Sequence, residues 1–98
     1  MAVVNLTIVP LGTQTTSVSG YVAAVHRELE KTGIKNHLTP MGTILEGDLA
    51  EILEVVKTLH EVPFGKGAQR VMTTISIDDR RDKESSAMGK VERVKAKL

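Results

Sequence analysis

The stretch Ile34–Asp48, "IKNHLTPMGTILEGD", decides how the rest of the chain is read. "IKNHLT" and "MGTILEG" are two short strand candidates separated by Pro40, close enough to pair as a hairpin. Asp48 then stands three residues before Glu51, the spacing of a capping box that opens a helix. Leu49, Ile52, Leu53, Val56 and Leu59 follow at helical spacing until Pro63 and Gly65 stop the pattern.

Working outward, the hairpin sits between two similar halves. Upstream, "AVVNLTIVP" alternates and is rich in β-branched residues, a strand ended by Pro10. After the polar loop "LGTQTTSVSG", Ser17 is a plausible N-cap for a helix with Val18, Val22, Val25 and Leu29 on one stripe, stopped at Thr32 and Gly33. Downstream of the second helix, "QRVMTTISID" alternates again as a fourth strand. The tail sets Met88, Val91, Val94 and Leu98 at helical spacing among Lys90, Arg93, Lys95 and Lys97, which predicts a third, amphipathic helix. The order β-α-β-β-α-β predicts an α+β, ferredoxin-like sandwich: an antiparallel sheet with two helices on one face, plus a C-terminal helix.

In that arrangement one sheet face is left bare. If Val4, Leu6, Ile8, Val71, Ile75 and Ile77 meet the helices, the other face shows Asn5, Thr7, Val9, Met72, Thr74 and Ser76. A solvated face more usually carries Lys and Glu, so this nearly uncharged surface points to an oligomer seam, a ligand wall, or both.

Composition narrows the function classes. Ninety-eight residues fit one domain, spanning 1–98, with enough chain to bury about 65% of its unfolded surface. There is no cysteine, which removes disulfides, thiolate metal sites and Cys nucleophiles, and fits a reducing, cytoplasmic setting. The first residues lack a signal-peptide pattern, and no segment approaches the roughly 20 apolar residues of a membrane helix, so a soluble protein is expected. Thirteen Lys and Arg against twelve Asp and Glu leave a net charge of +1, and one Tyr, one Phe and no Trp leave little to stack on bases. Neither nucleic acid nor membrane is an expected partner.

The chemistry-bearing residues are few. His26, His37 and His60 never stand at i, i+3 or i+4, so no helix-borne metal pair exists. His26 and His60 have adequate structural explanations, and His37 is a weak pocket candidate on the bare face. The loop before the first helix lacks both GxGxxG and GxxxxGK[ST]. The run "IDDRRDK" reads as a self-compensating salt-bridge surface. Glu46 stands out as an acceptor for a cationic or amino-heterocyclic ligand, although it could equally add negative charge beside the start of the second helix. No nucleophile with a base is recognisable, so no catalytic residue is assigned and an enzyme is not expected.

Four segments together, "PLGTQTTSVSGYV", "LTPMGTILEGD", "TLHEVPFGKGAQRV" and "TTISIDDRRDK", resemble the small thiamine-binding, YkoF-like proteins, with a likeness running from about Val3 to the tail. The resemblance implies a ferredoxin-like fold, assembly into homodimers and homotetramers, and binding of thiamine or its hydroxymethylpyrimidine moiety without catalysis or a cofactor. The segments matching that family's pocket contribute Thr7, Leu11, Thr13, Ser17, Met41, Thr43, Glu46, Thr74 and Ser76. Hydroxyls and a carboxylate would serve an aminopyrimidine's donors and acceptors, and Met and Leu would clasp its ring. The sequence departs from the family pattern in two places: "GTQ" stands for "GTG", and Asn36 and His37 stand where an aromatic often follows the first helix. The alternative reading is a structural or regulatory self-assembling module with no small-molecule ligand. An acylphosphatase loop, exposed aromatics for RNA and a metallochaperone CxxC are all absent from the sequence.

Overall fold

The computed structural model describes residues 1–12, 18–82 and 86–98. Its elements are β1 (Ala2–Pro10), α1 (Ser19–Glu30), β2 (Lys35–Thr39), β3 (Gly42–Gly47), α2 (Leu49–Gly65), β4 (Val71–Asp79) and α3 (Ala87–Ala96). The four strands form one antiparallel sheet in the order β2-β3-β1-β4, the ferredoxin-like split βαβ arrangement that the hairpin between two helices predicts.

Strand alternation sorts the two faces as expected. Val4 pairs with Leu45 and Ile77, and Leu6 with Thr43 and Ile75, all on the helix side. Asn5 pairs with Ile44 and Ser76, and Thr7 with Thr74, on the other. The core comes from the central strands and the inner helix stripes: Ala2, Val4, Leu6 and Leu45 against Leu29, Ile52, Val56 and Leu59. Because that core centres on β1 and β3, the edge strand β4 is poorly covered. Its helix-side Ile75 and Ile77 stay 37% and 47% exposed.

Helix ends follow local chemistry. The Asp48 carboxylate accepts from the Glu51 N–H at 3.2 Å, which caps α2 as the sequence predicts. The helix runs through Pro63 and ends at Gly65, the second of the two predicted stop residues. Within the last turn Pro63 is tolerated and buried, and the helix ends in a Schellman motif: Gly67, at φ 101°, supplies the left-handed residue, while the Gly67 and Ala68 N–H groups bond the Phe64 and Pro63 carbonyls. For α1, the described N-cap position is Val18, without a side-chain cap; Ser17 lies outside the described residues.

The third helix occupies a position that its periodicity does not reveal. Ser86 caps it, accepting from Gly89 N–H at 2.9 Å, and its start is tied to the face opposite α1 and α2. None of its residues is buried, so Met88, Val91 and Val94 remain exposed. No helix among the described residues is long and apolar enough to cross a membrane.

Candidate functional site

A pocket of about 320 Å³ opens between α1, the end of β1 and the β2–β3 turn. From β1 it takes Leu6 to Val9, from α1 and its N-cap position Val18, Val22, Val25 and His26, and from the hairpin Leu38 to Thr43. The α1 stripe therefore divides its work. Leu29 is in the core and Val25 packs against it, whereas Val22 is 39% exposed and Val18, Val22 and Val25 all face the pocket. A stripe that fills a core and one that walls a cavity share the same period, which is why the sequence pattern does not distinguish them.

The hairpin turn is built to hold the pocket's rim. The Thr39 hydroxyl donates to the Gly42 carbonyl at 2.8 Å and accepts from the Met41 N–H at 3.3 Å, fixing Pro40 and Met41 in a two-residue loop. Gly42, at φ 154°, presses against β1: a Cβ there would lie 2.7 Å from Asn5 Oδ1 and 3.0 Å from the Leu6 carbonyl. Met41 is held outward, 84% exposed, at the mouth. The Thr43 hydroxyl has no hydrogen-bond partner among the described residues, which leaves it available to a ligand.

Of the residues assigned from the family's pocket, the structure brings Met41 and Thr43 together around this cavity, and Thr7 borders it from a strand position whose side chain shares the opposite face with Thr74. Thr13 and Ser17 lie outside the described residues. Leu11 is not among the lining residues; its N–H bonds the Arg70 carbonyl at 2.8 Å. Thr74 and Ser76 lie on the opposite face of the sheet, paired with Thr7 and Asn5. His26, read from the sequence as structural, does line the pocket. The signal available was its place beside the Val22–Val25 stripe.

Glu46 has a different setting. It shares the face of Val3 and Lys35 and is only 4% exposed. Its carboxylate accepts from the Ala87 N–H at the start of α3 at 2.7 Å, pairs with His37 Nε2 at 2.9 Å and lies 3.6 Å from Lys35 Nζ. Burial alone pushes this carboxyl up, but the Ala87 N–H, the His37 hydrogen bond and the Lys35 charge outweigh it, and Glu46 is held below the ordinary carboxylate value. The negative charge therefore sits at the N-terminus of α3, not of α2. Lys90, one turn into α3, pairs with Asp78 on the same face.

The remaining charged run is self-paired: Arg80 with Asp82 and Arg81 with Asp79. His60 is held by Thr73, 2.6 Å from Nδ1, and by an edge-on contact with Phe64. Among the described residues no group of three or more His, Asp or Glu side chains is placed to hold a metal ion.

The whole-chain comparisons agree with this architecture. The model of the thiamine-binding protein family matches residues 4–95. The chain belongs to that family. The UPF0045 protein YqgV of Bacillus subtilis is 48% identical over 102 residues, covering 100% of this chain and 98% of its own. A UPF0045 protein of Methanothermobacter thermautotrophicus is 46% identical over 99 residues, with both chains covered completely. Among solved structures, protein MJ1052 of Methanocaldococcus jannaschii superposes with a TM-score of 0.85 at 36% identity, over 96% of this chain and 95% of that one. Three of the four family-like segments, those holding Val18, Thr43 and the Schellman stop of α2, fall in this thiamine-binding family member on the α1 wall, the hairpin and the helix end that leads into β4.

Proposed function

We propose that the protein is a non-catalytic binder of thiamine or its hydroxymethylpyrimidine moiety, taken up in the pocket between α1 and the β2–β3 turn. The observation that carries this reading is the pocket itself: an apolar cleft at the small end of the ligand-site range of roughly 300–1,000 Å³, with the Thr43 hydroxyl inside, without a partner among the described residues, and Met41 at its mouth. Apolar walls suit a flat ring, and a few hydroxyls suit its polar edge. Membership of a thiamine-binding family supports the choice of ring. Leu11, Thr13 and Ser17 enter the proposed ligand set on the family resemblance alone.

Glu46, Thr74 and Ser76 belong in this reading to a second role, the seam of a homo-oligomer. Support comes from apolar side chains on that side of the sheet that stay exposed in the single chain: Met88, Val91 and Val94 on α3, and Met72 on β4. The same exposure favours the alternative, a self-assembling module without a ligand. Calorimetric titration with thiamine and hydroxymethylpyrimidine, alongside sedimentation, separates the two. Saturable micromolar binding, about −8 kcal/mol, is the expected result. An intact oligomer that gives no heat with either compound overturns the binding reading in favour of assembly alone.

A further inference from the structure

The pocket is almost free of formal charge, and its exception has a defined chemistry. Among its described lining residues His26 is the one ionisable side chain. It also lines an adjoining groove on the outer side of α1, together with Ala23, Arg27 and Glu30, so the imidazole stands at the wall between the two. Glu30, one turn along the helix, places Oε1 3.5 Å from His26 Nε2. In the uncharged imidazole one nitrogen carries the proton and the other accepts, and the carboxylate favours the proton on Nε2. Nδ1 is then the acceptor.

The other polar side chains among the described lining residues are the hydroxyls of Thr7, Thr39 and Thr43, and a hydroxyl does not read a donor against an acceptor. The Thr39 hydroxyl is committed to the hairpin turn. Thr43 stands across the cavity on the sheet and offers a hydroxyl that both donates and accepts, so it does not discriminate between a donor and an acceptor on the ligand. An imidazole whose proton sits on Nε2 does, because its Nδ1 can only accept.

We infer that His26 is the specificity-determining residue of this pocket. It accepts a hydrogen bond from an exocyclic amino group on a neutral, flat heterocycle and rejects the analogue that presents an oxo group there, with Glu30 as the positioning residue. This rests on the binding reading above and adds to it which ring edge is read, and by what.

The test compares hydroxymethylpyrimidine with the analogue carrying oxo in place of its amino group, titrated into wild type, His26→Ala and Glu30→Gln. Wild type is expected to prefer the amino compound by about tenfold or more, the equivalent of one matched hydrogen bond. His26→Ala should still bind but with the preference collapsed, because it leaves Thr43 and the apolar wall in place. Glu30→Gln should reduce the preference, and nitrogen-15 NMR of the labelled imidazole should show a smaller share of the Nε2–H tautomer. A preference unchanged in His26→Ala overturns the inference while leaving the binding reading intact. Absence of binding of either compound to wild type overturns both. Should His26→Ala fail to fold, as judged by circular dichroism, Glu30→Gln alone decides: an unchanged preference and tautomer count against the assignment.

Discussion

The Glu46 carboxylate and the Ala87 main-chain N–H meet at 2.7 Å across 41 residues of sequence, and this contact joins α3 to the sheet. The carboxylate answers one of the orphan N–H groups at the helix start and also sits at the positive end of the helix dipole. Replacing Glu46 with Gln removes the charge while keeping the shape. The expected cost is about 1.5–3 kcal/mol, the range for hydrogen bonds to a charged group. Amide hydrogen exchange should rise first in residues 86–90. Unchanged protection there would mean that α3 is held by something other than Glu46.

Acid should act through the same carboxyl. Glu46 is held below its ordinary value of 4.5 in the folded chain, so the folded state favours the ionised form. The stability it contributes is therefore fully present above pH 4.5 and is lost as pH falls through the depressed folded value. Denaturation midpoints measured from pH 7 downward should fall more steeply in wild type than in Glu46→Gln. Parallel curves would show that Glu46 does not couple to folding.

The Glu46–Ala87 contact also marks where the sequence pattern stops being informative. Alternation places Val4 and Leu6 on the core side and Asn5 and Thr7 on the other, because a strand's side-chain period is two whatever its neighbours are. Asp48 and Glu51 announce the start of α2 because a cap is a local event. Glu46 follows the same alternation, which puts it with Ile44 and away from Thr43, but the partner that defines its role lies on a distant helix. The α1 stripe is equally ambiguous: Val18, Val22 and Leu29 look alike in periodicity, and only the placement of the β2–β3 turn decides which of them faces empty space.

Gly42 makes that placement depend on one missing side chain. Its φ of 154° suits glycine, and an added Cβ would meet Asn5 Oδ1 at 2.7 Å and the Leu6 carbonyl at 3.0 Å, the second of these a backbone atom that cannot swing aside. Gly42→Ala is therefore expected to cost about 1–3 kcal/mol, as overpacking and strain do. It should also weaken ligand binding, since Met41 and Thr43 flank it. Urea denaturation measures the first effect and calorimetry the second. A neutral Gly42→Ala would mean that β1 and β3 separate readily at this point.

Met41 should separate binding from folding. At 84% exposed it contributes little to the core, so Met41→Ala is expected to change stability by no more than about 0.5 kcal/mol. Leu59→Ala, at a fully buried position, should cost about 2–5 kcal/mol. If Met41 clasps the ligand's ring, its truncation should weaken binding several-fold while the urea midpoint stays in place. Equal affinities for wild type and Met41→Ala would move the ligand's contacts deeper, toward Thr43 and α1.

The exposed side of α3 carries the last prediction. Val91 and Val94 are 42% and 61% exposed on a helix that buries no residue of its own. A helix this short gains most of its stability from packing an apolar face, and the single chain offers it little. A second copy of the chain covering this stripe would supply that packing. Val91→Glu with Val94→Glu should then lower the mass seen in sedimentation while leaving the sheet and α1–α2 intact by circular dichroism, because neither residue contributes to the core. If the double variant sediments as wild type does, assembly does not use α3, and the open sheet face or the exposed edge of β4 becomes the surface to test.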